Sequence, residues 1–250
     1  MYERQQEILK LLREKHHLSV KELSESLYVS EATVRRDLKN LSENNMIIRV
    51  RGGAFDKPSS SLEIPNFYRT SINAQEKMEI ADLALKLLNN KKNIFMCSSS
   101  TCLMLAKKLT EVQDLTVLTN GIFTAHILSE STNVKVFSTG GKAEPKCSSL
   151  NGTEACEFVK NFRADIAFVS CRGISLEGVT DYIKDESLLK KTFRKYSKIL
   201  VLLVDSSKHE QTFIHHTLDF KEIDYVVSDK PFSDNLTKAL EENDVTIITP

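Results

Sequence analysis

The sequence has no excess of charge of either sign: its 250 residues carry 34 Lys plus Arg against 34 Asp plus Glu. A global positive field that would hold a polyanion is therefore missing, and any nucleic-acid surface must come from local placement of charge. No segment approaches the roughly 18 uninterrupted apolar residues of a membrane span. The start, Met1-Tyr2-Glu3-Arg4, has no apolar stretch of signal-peptide character. The expectation is a cytoplasmic protein with no membrane partner. The five cysteines (Cys97, Cys102, Cys147, Cys156, Cys171) contain no C-x-x-C pair, which argues for reduced thiols rather than a disulfide framework or zinc site. His16-His17 and His215-His216 are adjacent pairs whose side chains diverge, so they read as solvated residues rather than ligands. No metal and no cofactor is expected. An apolar share of 41% is nevertheless ordinary for a globular chain with a buried core.

What is present begins with an amphipathic pattern. Ile8, Leu11 and Leu12 at helical spacing predict a helix over residues 4–15. Ser19-Val20-Lys21-Glu22 fits a capping box opening a second helix that runs to about Leu27. After a break at Tyr28-Val29, Ser30 is placed to cap a third helix whose Val34, Leu38 and Leu41 share a buried face. The opposite face holds Thr33, Arg36, Asp37 and Asn40, flanked by Arg35 and Lys39. A short helix, a tight turn and a cationic third helix are the parts of a helix-turn-helix, whose last helix enters the major groove. Residues 46–54 then place Arg49 and Arg51 on a short extended run before Gly52-Gly53, as a wing resting on phosphates requires.

The run Val29-Ser30-Glu31-Ala32-Thr33-Val34-Arg35-Arg36-Asp37-Leu38, followed by Arg49-Val50-Arg51-Gly52-Gly53-Ala54, resembles the DNA-binding signature of DeoR-family repressors. The resemblance implies Thr33, Arg35, Arg36, Lys39 and Arg51 as DNA contacts, with Ser30 and Arg49 beside them, and Asp37 as a residue that orients an arginine. Residues 1–55 hold ten Lys or Arg and eight Asp or Glu, a net charge of plus two. So small a charge holds DNA weakly, and a homodimer or higher homo-oligomer on a double-stranded palindromic operator is the expected working form.

Residues 56–73, with Pro58 and Ser59-Ser60-Ser61, read as a linker between a 1–55 winged helix-turn-helix and a 74–250 effector domain. In that domain a helix over residues 76–88 carries Ile80, Leu83, Ala84 and Leu87 on one face. Strands are predicted at 94–96, 115–119, 134–138, 165–169, 199–204 and 225–228, with helical stretches between most of them. That alternation predicts an α/β domain with a largely parallel sheet. Ligands in such sheets sit beyond the carboxyl ends of the strands. There the sequence places Ser98-Ser99-Ser100-Thr101, Thr119-Asn120-Gly121, Gly140-Gly141, Gly173 and Asp205-Ser206-Ser207-Lys208. Hydroxyls and backbone N–H groups at a helix start, with a lysine, suit a phosphorylated ligand.

Glu76-Lys77, Thr119-Asn120, Gly140-Gly141, Ser149-Leu150-Asn151-Gly152, Glu186 with Lys190, and Asp205-Ser206-Ser207-Lys208 extend the DeoR-family resemblance through the sensor. It implies a fold similar to ribose-5-phosphate isomerase and repression of a sugar catabolic operon relieved by a phosphorylated sugar. Ser100, Thr101 and Lys208 are then the phosphate-side contacts, Asn120, Gly141 and Gly173 line the pocket, and Ser98 and Ser99 complete the loop. The family's first loop reads Asp-x-Gly-Ser-Thr-Thr, whereas Cys97-Ser98-Ser99-Ser100-Thr101-Cys102 stands here, so a carboxylate and a glycine are replaced. A glycine would permit positive φ and close approach to phosphate, and Ser99 is expected to alter that seat.

The alternative is a sugar-phosphate isomerase-like enzyme with a DNA-binding head. Enediol chemistry needs a base beside the substrate carbon, and the strand over 165–169 is followed by Ser170-Cys171-Arg172-Gly173. No catalytic residue is assigned. Glu177, Asp181 and Glu186 lie nearby in sequence and read as solvated or capping. Cys171 beside Arg172 reads as a buried inert thiol rather than a reactive one.

Overall fold

A computed structural model gives the fold and describes residues 3–44, 46–56, 66–145 and 147–250, the Phe67 side chain apart. The chain divides into two compact units, residues 1–72 and 73–250. In the first, α1 (Glu3–Lys15), α2 (Val20–Leu27) and α3 (Glu31–Glu43) are joined by β1 (His17–Ser19), β2 (Ile47–Val50) and β3 (Gly53–Asp56). The three strands form one sheet in the order β1-β3-β2. The helices close their apolar stripes on one another: Ile8 and Leu12, Leu23, and Val34, Leu38 and Leu41 make one buried cluster, each side chain stabilising by roughly 2 kcal/mol. The capping box is formed. The Glu22 N–H donates to Ser19 Oγ at 3.1 Å, and the Ser19 N–H donates to Glu22 Oε2 at 2.7 Å.

The two wing glycines do different work. Gly52 turns the chain with a φ of 88° and has open space around it. Gly53 lies in the ladder, where a Cβ would stand 2.4 Å from the Leu18 carbonyl oxygen; it is there so that β1 can approach β3. His17 departs from the expectation of a solvated residue. It is half-buried, with its ring 4.4 Å from Phe55 and 4.8 Å from Tyr68, and burial lowers its pKa despite the nearby Glu22. Tyr68 sits on α4 (Asn66–Arg69), so the end of the stretch read as linker joins the first unit through the Phe55 ring, while Pro58 and Ser59-Ser60-Ser61 lie outside the described residues.

The second unit opens with α5 (Ala74–Leu85) and then alternates: β4 (Asn93–Met96), α6 (Ser100–Leu109), β5 (Leu115–Thr119), α7 (Ile122–Ser129), β6 (Val134–Ser138). A hairpin of β7 (Lys142–Glu144) and β8 (Ser149–Asn151) precedes α8 (Thr153–Val159) and β9 (Ala164–Val169). Next come β10 (Gly173–Ser175), β11 (Gly178–Asp181), α9 (Lys184–Lys195) and β12 (Ser197–Val204). The unit ends with β13 (His215–Leu218), β14 (Tyr225–Ser228), α10 (Asp234–Glu241) and β15 (Thr246–Ile248). Seven strands make one sheet in the order β15-β14-β12-β9-β4-β5-β6, and every pair in it is parallel. All six predicted strands are in this sheet. Near-continuous apolar runs such as residues 199–204 occupy its centre because both faces are covered, α5 packing on α6 and α6 on α7, with α8 on α9. The short antiparallel additions β7–β8 and β10–β11–β13 were not predicted.

Strand order fixes where a ligand can enter. From β4 the sheet grows through β5 to β6; from β9, beside β4, it grows the other way through β12, β14 and β15. The connections after β4 and β9 therefore part, and the carboxyl ends of these two strands are where a sheet of this order places its ligand crevice.

The glycine geometry makes a stability prediction. Gly53→Ala must displace backbone and is expected to destabilise the first unit by roughly 3 kcal/mol, against roughly 1 kcal/mol for Gly52→Ala, which strains only its own φ. Urea unfolding of the two variants checks the ranking, and equal losses would remove the packing role of Gly53.

Candidate functional site

In the first unit, α3 presents the expected residues with distinct degrees of freedom. Ser30 caps the helix, its Oγ accepting from the Thr33 N–H at 3.3 Å and lying 3.0 Å from Thr33 Oγ1. Arg35 bonds Glu31 one turn back at 2.7 Å, and Lys39 lies 3.8 Å from Glu43. Exposed pairs of this kind contribute about 0–1 kcal/mol, so both cations can exchange a carboxylate for a phosphate. Arg36, Arg49 and Arg51 are exposed and hold no carboxylate among the described residues. Asp37 does not share their solvent face: it is 5% exposed and accepts from Arg4 Nε at 2.5 Å and Arg4 Nη2 at 3.2 Å. It orients an arginine as expected, on α1 rather than on its own helix. Asn40 also turns toward α1, accepting from Gln5 Nε2 at 3.4 Å. Sequence reasoning missed Tyr28, which is 94% exposed in a left-handed turn with φ 53°, two residues before the Ser30 cap.

In the second unit the loops after β12, β9, β4 and β5, four adjacent strands, bring Lys208, Gly173, residues 98–101 and Asn120 to one edge of the sheet. Ser99 does not distort the first loop. With φ −66° it caps α6, accepting from the Cys102 N–H at 3.0 Å; a cap replaces the expected need for glycine. Asn120 is a tie between loops, accepting from the Ser98 N–H at 2.9 Å and donating to Asn151 Oδ1 at 3.0 Å. Asn151 then donates to Ser149 Oγ at 2.9 Å, and Ser149 donates to Glu186 Oε1 at 3.2 Å. Gly141 and Gly173 are set by packing: a Cβ would meet the Asn151 carbonyl oxygen at 2.5 Å in one case and the Gln211 carbonyl oxygen at 2.1 Å in the other.

Two hydroxyls differ from the rest. Thr101 Oγ1, in the first turn of α6, and Ser170 Oγ, directly after β9, are buried and have no hydrogen-bond partner among the described residues. They stand one on each side of the parting between β4 and β9. An unsatisfied buried hydroxyl costs roughly 1–3 kcal/mol, and a ligand oxygen would recover it. Ser170 was not among the expected effector contacts; its signal in the sequence is only its place after a strand.

Charge around the crevice is held in two clusters. Lys190 Nζ donates to Asp181 Oδ2 at 2.7 Å, and Thr217 Oγ1 donates to the same oxygen at 2.9 Å. Burial alone would lower the Lys190 pKa; Asp181 and Glu186 reverse that and keep the ammonium charged. Lys208 lies 3.2 Å from Asp205, whose other oxygen accepts from Asn73 at 3.1 Å and from the Ser207 hydroxyl. Burial raises Asp205, but Lys208, Ser207, Lys77 and Asn73 outweigh it and hold the carboxyl well below its ordinary range. Cys171 is buried, its thiol pushed up to about 12 by burial and by Asp181. Among the described residues no cluster of three or more His, Cys, Asp or Glu is placed to hold a metal, and no helix is long and apolar enough to cross a membrane.

Comparison with known proteins gives matches over both units. The profile described as "DeoR-like helix-turn-helix domain" matches residues 4–57, and "DeoR C terminal sensor domain" matches residues 72–230. The chain is 35% identical to the HTH-type transcriptional regulator GolR of Listeria innocua, over 96% of this chain and 95% of that protein. It is 27% identical to the glycerol-3-phosphate regulon repressor of Escherichia coli, over 96% and 95%. Among solved structures it is similar to ribose 5-phosphate isomerase A of Methanocaldococcus jannaschii, with 15% identity and a TM-score of 0.41 over 55% of each chain.

The Asp205 cluster predicts a pH dependence. Its folded pKa lies below the unfolded value, so the stabilisation is fully present above about pH 4 and is lost as the pH falls through the folded value. Asp205→Asn is expected to lower the melting temperature at pH 7, and the gap to the parent protein should narrow below pH 4. A constant gap across that range would remove Asp205 as its source.

Proposed function

The chain belongs to the DeoR family of DNA-binding transcriptional regulators, and from that premise we propose that it represses a sugar catabolic operon and is released by a phosphorylated sugar. The observation that carries the ligand class is the pair of buried unpartnered hydroxyls, Thr101 and Ser170, at the start of a helix and at the parting of the sheet. A helix N-terminus favours an anion, and sugar hydroxyls and phosphate oxygens are partners for O–H donors. The name of the glycerol-3-phosphate regulon repressor supports a phosphorylated effector. Ser98, Ser99, Ser100, Thr101, Asn120, Gly141, Gly173 and Lys208 form the effector seat in this reading, with Ser170 added. Ser30, Thr33, Arg35, Arg36, Lys39, Arg49 and Arg51 form the DNA surface, and Tyr28 joins them at the turn.

The protein acts in the cytoplasm as a homodimer or larger symmetric oligomer, because a first unit of net charge plus two gains affinity by engaging two half-sites together. The effector binds without being transformed. The carboxylate near the crevice that an isomerase would need as a base, Asp181, is buried with its Oδ2 engaged by Lys190 and Thr217, so that oxygen is occupied within the protein.

Thermal-shift screening against phosphorylated sugars and their unphosphorylated counterparts tests the reading, since a ligand of the folded state raises its apparent stability. A rise with one phosphosugar alone is expected; a rise with the free sugars of equal size would overturn the anion seat. Lys208 is tied to Asp205, so replacing it perturbs fold and ligand together. Thr101→Val separates them: the free protein should be as stable as the parent or more so, and the ligand-induced shift should be lost. Arg36→Ala should weaken binding to a selected palindromic duplex by about tenfold, roughly 1.4 kcal/mol, while leaving the ligand shift unchanged. Equal effects of both variants in both assays would contradict the division of labour.

A further inference from the structure

Where the family loop carries a carboxylate and a threonine, this chain carries two thiols. Cys97 follows β4 and Cys102 lies in the first turn of α6, and their sulfurs are 3.6 Å apart. Both are buried. Cys102 Sγ also lies 3.5 Å from the Phe168 carbonyl oxygen, and Ser99, between the two cysteines in sequence, accepts from the Cys102 N–H at 3.0 Å. The positive charge of Lys190, on α9, acts on both thiols. Of the five cysteines these two have sulfurs in contact, and the chain between them is the 98–101 segment that lines the crevice.

We propose that Cys97 and Cys102 are a redox modification site: a hydroperoxide converts them to an intramolecular disulfide, and that bond clamps the 98–101 loop against anion binding. The consequence for anion binding rests on the reading of that loop as the effector seat; the disulfide itself does not. The Cys97 thiolate attacks the distal peroxide oxygen, so an S–O bond forms and the O–O bond breaks. The sulfur is oxidised to a sulfenic acid and the peroxide is reduced to an alcohol, or to water for hydrogen peroxide. Cys102 sulfur then attacks Cys97 sulfur; the S–S bond forms, the S–O bond breaks, and hydroxide leaves with the Cys102 proton as water. A dithiol reverses the step by exchange.

The order of attack follows from the surroundings. Burial alone would raise the Cys97 pKa, but the Cys102 S–H, the Lys190 cation and the Ser99 donors lower it. Cys102 is pushed up by burial and by Cys97, which makes it the resolving thiol. Closing the bond to about 2.05 Å draws the sulfurs together by roughly 1.5 Å and moves Cys102, whose backbone N–H holds the Ser99 cap. That shift exceeds the tolerance of a hydrogen-bonding seat, whose donors must lie within about 2.7–3.2 Å of the anion.

The test uses the reduced full chain treated with a small excess of hydrogen peroxide, alkylated and digested with trypsin. Both cysteines fall on one tryptic peptide, residues 93–107, so the expected product is that peptide lighter by two hydrogens, unalkylated, and restored by dithiothreitol. Cys97→Ser and Cys102→Ser should each abolish it, while Cys156→Ser should leave it. A peptide 93–107 that remains doubly alkylated, or stops at sulfinic acid, overturns the proposal. In portions withheld before alkylation and digestion, inorganic phosphate should raise the melting temperature of the reduced protein more than that of the oxidised one. Equal rises in both forms overturn the clamp. No rise in the reduced protein overturns the anion seat and the clamp together, while the peptide map still decides the disulfide.

Discussion

Between β4 and β9 the sheet changes its direction of growth, and the arrangement of the sensor follows from that reversal. Two neighbouring parallel strands whose outgoing connections part cannot close their own carboxyl ends, so polar backbone and short polar side chains must finish the edge. The chain meets this with a Ser-capped helix start after β4 and with Ser170 after β9. The walls are then fixed by a relay from Ser98 through Asn120, Asn151 and Ser149 to Glu186, which joins four separate elements. The buried Lys190–Asp181 pair on the adjoining elements is of the same kind. Such a pair adds little net stability over apolar residues of equal volume, but leaving one member unpaired is costly. Its presence therefore argues for fixed geometry and field rather than for extra stability.

Much of this was legible in the sequence because it is local. The Ser19 capping box, the Ser30 cap and the apolar stripes of α1 to α3 need only neighbours within a few residues. Six of the seven strands of the main sheet are legible: β4, β5, β9, β12 and β14 because burial on both faces demands near-continuous apolar runs, and the edge strand β6 from the shorter run Val134-Lys135-Val136-Phe137. What escaped was set at a distance. Asp37 has a helical position that faces solvent in isolation, and only the approach of α1 buries it beside Arg4. Gly53 looks like a second turn residue until β1 is laid across it. β10, β11 and β13 are too short to carry a period, and they are held by pairing with one another. The motifs at Asn120, Ser149-Leu150-Asn151-Gly152 and Glu186 are far apart in sequence, and their chemistry is a single hydrogen-bonded chain that only the fold assembles.

The first unit shows how a nearly neutral surface can still be cationic where it matters. Five of the eight acids in residues 1–55 are spent locally: Glu22 on a cap, Glu25, Glu31 and Glu43 on exposed helical pairs, and Asp37 inside the unit. The wing arginines and Arg36 hold no such partner among the described residues, so the net charge of the unit understates the field that a phosphate backbone would meet at α3 and the wing.

The two unpartnered hydroxyls of the crevice connect energetics to regulation. A buried hydroxyl left without a partner costs roughly 1–3 kcal/mol, and a well-fitted oxygen ligand supplies the partner that the protein's own described residues do not. Differential affinity between two states is the only means by which a ligand shifts an equilibrium, and typical coupling between sites is about 1–3 kcal/mol. Satisfying even one of these hydroxyls in one state and not the other therefore supplies a coupling of the required size. A core that packed Val at 101 and Ala at 170 would be quieter and more stable, and it would have lost the free-energy difference on which a sensor depends.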